Sequence, residues 1–242
     1  MDLYVVTGHT RGIGRALVEQ LAQREQVEVI GIGRAPDGPL PGGAQYHADL
    51  TGLEPVERVL ARLETRWAGR RFSKAVLINN AGVIQPIGPI VNAHPHALAN
   101  AVAVNLTAPL VLMARFLAIL APLADMRRVV NISSGAGRRP IAGWGHYCAA
   151  KAAIDMATRV LALEAGPGVQ VVSVAPGVVD TGMQEAIRAS SPADFADHAR
   201  FVELKRSGEL RDAAAVAADL LRHEASGALF AEPIADLRAL NG

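Results

Sequence analysis

The sequence is poor in cysteine, in aromatic residues and in excess charge of either sign. Its 242 residues include one cysteine, Cys148, which excludes an internal disulfide and is typical of a reducing compartment. Aromatic residues make up 4% and the formal net charge is +1, without the basic runs typical of nucleic-acid arms or membrane-surface helices. We therefore expect a cytoplasmic protein whose partner is a small molecule, and neither nucleic acid nor membrane.

The sequence also lacks an apolar segment typical of a secretory signal or a membrane span. Residues 3–6 form only a short apolar run before a glycine-rich turn. The longest apolar stretch, residues 102–123, is interrupted by Asn105 and Arg115 and contains two prolines. This stretch predicts a buried helix.

Hydrophobic residues, by contrast, make up 50% of the chain, enough for a large core. Short β-branched runs alternate with helical patterns, which predicts a parallel sheet covered by helices on both faces. The expected fold class is α/β, a Rossmann-type doubly wound parallel sheet, in a single domain spanning residues 1–242. Strands are predicted at residues 3–7, 27–32, 45–48, 75–78, 128–132 and 170–174, and helices at 12–24, 53–67, 97–120 and 145–164.

The pattern changes after Thr181. Polar helices are predicted at residues 184–206 and 212–223, and a small strand near 228–230. The segment at about 184–206 is a candidate substrate lid. Residues 34–43 are rich in proline and glycine, which predicts a surface loop.

A glycine-rich turn joins the first predicted strand to the first predicted helix, with the spacing G-x-x-x-G-x-G. Glycines let the backbone turn sharply, and free N–H groups at a helix start favour a pyrophosphate. A plain tight turn is the alternative, but the position between strand and helix favours phosphate binding. The candidate cofactor residues are Gly8, Thr10, Arg11, Gly12, Ile13 and Gly14.

Arg34 stands at the end of the second predicted strand, where NAD-preferring sites usually carry an acidic residue for the ribose. A guanidinium suits a 2′-phosphate, and Arg11 is a second positive charge for the same group. The alternative is that Arg34 is a solvated loop residue and Asp37 binds a ribose hydroxyl. Because Pro36 and the loop displace Asp37 from the strand end, NADPH/NADP+ is the predicted cofactor.

Other predicted strand ends meet at the same edge of the sheet. Asp49 and Leu50 follow the third strand, where an acidic residue is a helix cap as often as it faces a cofactor. Residues 79–82, Asn-Asn-Ala-Gly, follow the fourth, where a plain turn is nearly as good an explanation. We predict that these ends line the cofactor, through Asp49, Leu50, Asn80, Ala81, Gly82, Pro176, Gly177, Val179 and Thr181.

Tyr147 and Lys151 lie four residues apart in a predicted helix, and therefore on one face. A phenol with a pKa of about 10 needs nearby positive charge to exchange protons near neutrality, and Lys151 is a source of that charge. Ser134, after another strand, has a hydroxyl placed to hold a substrate carbonyl. An exposed helix pair and a turn-forming serine are the alternatives.

Taken together, these motifs resemble the short-chain dehydrogenase/reductase family over almost the whole chain. They are Thr7-Gly8-x3-Gly12-Ile13-Gly14, Asn79-Asn80-Ala81-Gly82, Asn105, Ser134, Tyr147-x3-Lys151 and Pro176-Gly177-x3-Thr181. The resemblance implies that Tyr147 is the general acid, that Lys151 lowers its pKa and holds the nicotinamide ribose, that Ser134 orients the carbonyl, and that Asn105 supports a proton-relay water. It also implies a homodimer or homotetramer.

Further segments are similar to sepiapterin reductases and to bacterial reductases of diketones such as benzil. They include Gly143-Trp144, Tyr147-Cys148-Ala149, Met183-Gln184 and Ser226-Gly227-Ala228. Sepiapterin reductases anchor the pterin with an aspartate where this chain has Ala231, followed by Glu232. The resemblance therefore implies an NADPH-dependent carbonyl reductase of a dicarbonyl, with a pterin as the alternative substrate.

Two other functions are compatible with the same fold, and no metal site is expected. A non-catalytic NADP(H)-sensing protein, or an isomerase or dehydratase that retains its cofactor, would use the same fold. Intact Ser134, Tyr147 and Lys151 favour catalysis over sensing. His94 and His96 lack companion ligands at zinc spacing, so no metal is expected.

Overall fold

The computed structural model describes residues 1–241, and its centre is one eight-stranded sheet. The strands are β1 (Asp2–Thr7), β2 (Val27–Gly33), β3 (Gly38–Leu40), β4 (Gly43–His47), β5 (Phe72–Asn79), β6 (Ala124–Ile132), β7 (Val169–Ala175) and β8 (Ile234–Asp236). Their order is β3-β4-β2-β1-β5-β6-β7-β8. Every pairing is parallel except that of β3 with β4, so the predicted single-domain, doubly wound α/β fold is confirmed.

Helices cover both faces of this sheet. They are α1 (Gly12–Leu21), α2 (Leu53–Trp67), α3 (Pro95–Val102), α4 (Ala108–Leu120), α5 (Gly145–Glu164), α6 (Gly182–Arg188), α7 (His198–Arg206) and α8 (Ala213–Ser226). A π turn, Ala103–Thr107, joins α3 to α4. Short 3-10 turns occur at Ile90–Asn92, Gly135–Gly137, Ala228–Phe230 and Ala239–Asn241.

The sheet separates two hydrophobic cores. Along β1, Leu3 and Val5 pack into the core under α2 and α4, whereas Tyr4 and Val6 pack into the core under α1 and α8. All four side chains are at most 2% exposed. Because successive side chains of a strand point to opposite faces, this near-continuous apolar run requires cover on both sides.

The order of the strands reverses at β1, which lies between β2 and β5. In open parallel sheets such a switch point leaves a crevice at the carboxyl ends of the strands, where ligands bind. The chain therefore brings the segments after β1, β2, β5, β6 and β7 to one edge.

Four predicted elements differ from the structure. The predicted loop at residues 34–43 contains β3, and the predicted helix at 97–120 begins at Pro95 and includes the π turn. The segment 184–206 splits into α6 and α7. The strand predicted near 228–230 is a 3-10 turn, because Gly227 ends α8 with φ of +81° and the chain must turn before it rejoins the sheet as β8.

The helical run Pro95–Leu120 is long and apolar enough, by length and composition, to cross a membrane. The core helix of a globular protein has the same composition, and Leu112, Met113 and Phe116 of this run are each at most 3% exposed within the core. This packing agrees with the buried helix predicted for residues 102–123.

Candidate active site

The glycine-rich turn lies at the switch point and is too closely packed for side chains. Gly8 and Gly12 have φ of +65° and +55°, backbone angles that residues other than glycine rarely adopt. A Cβ on Gly8 would lie 2.9 Å from the Cα of Ala81, and one on Gly12 would lie 3.0 Å from Thr181. The turn therefore requires glycine at both positions.

Asn80 fixes this turn to the end of β5. Its side-chain amide donates to the carbonyl oxygens of Thr7, at 2.9 Å, and Gly8, at 3.2 Å. In return, the Thr7 hydroxyl accepts hydrogen bonds from the backbone N–H groups of Asn80 and Ala81, both at 3.0 Å. A Cβ on Gly14 would come within 2.4 Å of the Asn80 amide nitrogen, so Gly14 gives this amide its space.

The start of α1 is suited to an anion. No side chain caps its N-terminus, so the first N–H groups remain available. Arg11 and Arg34, both exposed, line the adjacent part of the cleft. Asp49 also lines it, but hydrogen bonds from the backbone and hydroxyl of Thr51 hold its pKa below the ordinary value.

Asp37, the alternative ribose ligand, is engaged elsewhere. One carboxylate oxygen accepts the backbone N–H of His47 at 2.6 Å, and the other pairs with Arg62 at 2.7 Å. Both interactions lower the pKa of Asp37. Arg34, and not Asp37, is among the residues that line the cleft.

His9 is a buried residue of the glycine turn that was not predicted from the sequence. Only 2% of it is exposed, and its Nε2 lies 2.9 Å from the side-chain oxygen of Gln45. A Cβ on Gly31 would lie 2.6 Å from the His9 ring, so the glycine in β2 makes room for the imidazole. The signal available in the sequence was the combination of a histidine in the glycine turn with a glycine, Gly31, in the neighbouring strand.

Tyr147 and Lys151 project from α5 into the opposite end of the same cleft. The ammonium nitrogen of Lys151 lies 5.6 Å from the centre of the Tyr147 ring and donates a 2.7 Å hydrogen bond to the carbonyl of Ile132. Ser134, whose oxygen accepts the N–H of Ala136 at 3.1 Å, hydrogen-bonds Tyr147. The predicted acid, its lysine and its serine therefore lie together.

Burial dominates the electrostatics of this pair. It raises the pKa of Tyr147 to about 12, and the hydrogen bond with Ser134 opposes that rise. Burial also lowers the pKa of Lys151 to about 8, against the attraction of Asp155. Desolvation thus penalises both charged forms, and the implied role of Lys151 in lowering the pKa of Tyr147 stays a prediction.

Asn105 lies in the π turn, behind the cleft. Its amide forms a two-way link with the backbone of Val83, accepting at 2.9 Å and donating at 2.8 Å. A Cβ on Gly82 would lie 3.2 Å from the Asn105 oxygen and 3.9 Å from the Lys151 nitrogen. Asn105 thus packs beside the lysine but does not line the cleft.

Most of the predicted site residues converge on one cleft of about 730 Å³. Those that line it are Gly8, Thr10, Arg11, Gly12, Ile13, Arg34, Asp49, Leu50, Asn80, Ala81, Gly82, Ser134, Tyr147, Lys151, Pro176, Gly177, Val179 and Thr181. Gly14 and Asn105 do not line it and pack behind it.

An aromatic cluster surrounds the tyrosine end of the cleft. Trp144 stacks on Phe195 at 4.9 Å and meets Tyr147 edge to face at 5.8 Å. Phe201 of α7 lies 5.4 Å from Trp144. Trp144 and Phe201 line the cleft and Phe195 supports them from behind, whereas Ala231 and Glu232 do not line it. Neither phenylalanine was predicted individually from the sequence.

Other reactive side chains lie outside this arrangement. His146 is buried, which lowers its pKa, and does not line the cleft. The rings of His94 and His96 stack at 5.5 Å. Within residues 1–241, no three metal-ligating side chains are grouped together.

Comparison with known proteins gives a consistent result. The family model described as short chain dehydrogenase matches residues 3–192. Benzil reductase ((S)-benzoin forming) of Bacillus subtilis is 37% identical, over 91% of this chain and 92% of that relative, and sepiapterin reductase of Rattus norvegicus is 36% identical, over 90% and 88%.

Solved structures agree. A short-chain dehydrogenase/reductase from Burkholderia vietnamiensis is 39% identical, covers 79% of this chain and 93% of its own, and superimposes with a TM-score of 0.66. The KRED1-Pglu enzyme is 27% identical, with coverages of 90% and 92% and a TM-score of 0.79. This chain belongs to the short-chain dehydrogenase/reductase family.

Proposed function

We propose that the protein is an NADPH-dependent carbonyl reductase that acts on a dicarbonyl such as an aromatic 1,2-diketone. The observation that carries the proposal is the single cleft with two unlike ends. One end has a glycine turn, an uncapped helix start and two arginines, and the other has Ser134, Tyr147 and Lys151. A hydride donor and a ketone can therefore meet between them.

The residues at the first end fit a dinucleotide. The glycines leave a space that a Cβ would fill, and the free N–H groups of α1 favour a pyrophosphate. Pro176, Gly177, Val179 and Thr181 also line the cleft, where they would hold the nicotinamide part. The bound cofactor supplies the hydride.

The choice of NADPH over NADH rests on charge. Arg34 lines the cleft after β2, and its guanidinium could bind a 2′-phosphate in a bidentate manner. Arg11 also lines the cleft and adds a second positive charge, although its guanidinium lies beside Gly182. The carboxylate that would favour NADH, Asp37, is already bound by His47 and Arg62.

At the second end, we assign a separate task to each residue. The hydroxyl of Ser134 orients the ketone oxygen, and Tyr147 donates a proton to that oxygen as the carbon is reduced. Because burial favours the protonated phenol, Tyr147 begins the reaction in the form that donates. Lys151 would hold the ribose, and its positive charge would favour release of the proton. Asn105 would support a water in that proton path.

The substrate end favours an apolar dicarbonyl over a pterin. Trp144 and Phe201 form an apolar wall suited to an aromatic ring. Relatives at 36–37% identity are benzil reductases, which supports a diketone. Sepiapterin reductases at 36% identity keep a pterin as the second candidate, although Ala231 stands where they have an anchoring aspartate.

Two features beyond the cleft belong to the same proposal. The segment at about 184–206, which carries Phe195 and Phe201, would act as the substrate lid. The helices α4 and α5 carry exposed apolar side chains, namely Leu110, Met156, Val160 and Leu163. These side chains support a homodimer or homotetramer formed through the two helices.

The test is consumption of NADPH or NADH by the purified protein with benzil, sepiapterin and simple ketones. We expect NADPH-dependent reduction of benzil to be the most efficient. Binding of NADPH without consumption with any ketone would indicate a sensing protein, and turnover of a substrate without net consumption would indicate an isomerase or dehydratase. Either result would overturn the proposal.

A further inference from the structure

The cleft contains polar groups that the fold leaves without partners. Among residues 1–241, three cleft-lining side chains have a buried polar atom with no hydrogen bond, namely the Ser133 hydroxyl, the Trp144 indole nitrogen and the Gln184 amide oxygen. Each of these residues is at most 7% exposed. Buried polar groups in folded proteins are nearly always paired, so these three call for an explanation.

Trp144 is the most informative of the three, because its indole nitrogen can only donate. The residue is 5% exposed, and its ring is fixed on three sides by Tyr147, Phe195 and Phe201. Packing of this kind would be met equally well by phenylalanine, which carries no unpaired N–H group. Trp67 also has an unpaired, buried indole nitrogen but does not line the cleft, so the position of Trp144 at the cleft is what points to a ligand acceptor.

The position of Trp144 identifies that acceptor. The Trp144 ring lies edge to face with that of Tyr147, with 5.8 Å between the ring centres. Trp144 immediately precedes α5, the helix that carries the tyrosine. A ketone oxygen held by Ser134 and Tyr147 would therefore lie near the Trp144 ring. In a 1,2-dicarbonyl, the second oxygen is bonded to the adjacent carbon and would accept a hydrogen bond from a donor close to the first.

We propose that the indole N–H of Trp144 donates a hydrogen bond to the second carbonyl of the substrate and so selects dicarbonyls over simple ketones. This inference rests on the proposed function and extends it by naming the group that recognises the second oxygen. The nitrogen is enclosed in this structure, so the proposal requires the segment that carries Phe195 and Phe201 to shift when the substrate binds.

The experiment compares two ketones that differ only in the second oxygen. Benzil has two adjacent carbonyls between its phenyl rings, and deoxybenzoin has a methylene in place of one of them. The variant Trp144→Phe removes the N–H and keeps an aromatic ring. We expect kcat/KM for benzil to fall about tenfold or more, with deoxybenzoin changed less than about twofold.

Two controls make the outcome specific. The dissociation constant for NADPH should be unchanged in Trp144→Phe, which shows that the variant is folded. Gln184→Met removes the unpaired amide oxygen of Gln184 at nearly constant volume, and we expect it to leave the preference for benzil over deoxybenzoin intact. If Gln184→Met removes the preference while Trp144→Phe does not, the assignment to Trp144 is overturned.

The remaining outcomes also separate the two proposals. If the wild-type enzyme reduces both ketones equally well, or if Trp144→Phe lowers both equally, the reductase function stands and the role of Trp144 is wrong. If the wild-type protein consumes no NADPH with either ketone, the proposed function fails first and takes this inference with it.

Discussion

The two ends of the cleft are built in different ways. The cofactor end depends on backbone, since Gly8, Gly12 and Gly14 permit approaches that any Cβ would block. The substrate end depends on large side chains from separate parts of the chain, with Trp144 at the start of α5 and Phe201 on α7. A cofactor shared by a family demands one fixed cradle, whereas a substrate wall made of side chains is free to vary.

The largest effect on activity is expected where the two ends of the cleft meet, at Tyr147. Replacing Tyr147 with phenylalanine removes the proposed acid and keeps the ring that packs on Trp144. We expect kcat to fall about 10³-fold, in the range for loss of a general acid, with NADPH affinity nearly unchanged. Steady-state kinetics and a fluorescence titration of NADPH provide the two measurements, and substantial residual turnover would remove Tyr147 from its role.

The next effect belongs to the cofactor end. Arg34→Asp replaces an attractive charge with a repulsive one at the proposed site of the 2′-phosphate, and we expect the ratio of kcat/KM for NADPH to that for NADH to fall about 100-fold. Arg24→Asp makes the same change of charge at an exposed position that does not line the cleft. If both variants shift the ratio equally, long-range charge and not a contact at Arg34 sets the preference.

A third test uses the pH dependence of stability. The folded pKa of Lys151, about 8, lies below its ordinary value of 10.5, so the unfolded chain binds more protons between these pH values. Stability contributed by this site therefore rises with pH across that window. From pH 8 to 10, wild type should gain about 2 kcal/mol relative to Lys151→Met in urea unfolding. Parallel pH profiles would show that Lys151 is not desolvated.

The smallest effect is expected at the substrate end. Phe201→Ala removes part of the apolar wall, and we expect KM for benzil to rise about tenfold, with the dissociation constant for NADPH unchanged. The neighbouring Val202 is 41% exposed and does not line the cleft, so Val202→Ala is the matched control. An equal rise in both variants would attribute the effect to α7 as a whole and not to the wall.

The same contrast explains what the sequence could predict. The cofactor end is encoded locally, because a glycine turn between a strand and a helix has a recognisable spacing. Tyr147, Lys151 and Ser134 were also recognisable, the first two by their helical spacing. The aromatic wall was predicted only in outline, from Trp144 and the segment at about 184–206. Its phenylalanines, Phe195 and Phe201, could not be singled out, since they meet Trp144 only through long-range packing.

The structure also differs from the sequence-based predictions in the position of the last strand and in the pKa of Tyr147. Both differences have physical causes that cannot be read from the sequence. The final strand forms at Ile234–Asp236 and not near residue 230, because the left-handed Gly227 starts a 3-10 turn first. The pKa of Tyr147 is raised and not lowered, because its burial outweighs the opposing effect of the Ser134 hydroxyl. Burial is a property of the assembled fold, so spacing along a helix does not reveal it.

The central claim is that hydride and proton reach one ketone within this cleft. It is tested most directly with NADPH carrying deuterium at the transferable position of the nicotinamide and benzil as substrate, followed by mass spectrometry of the hydroxyketone. The account predicts one deuterium on the new carbinol carbon for each NADPH consumed. Product without deuterium from either labelled face of the nicotinamide, or no product at all, would contradict it.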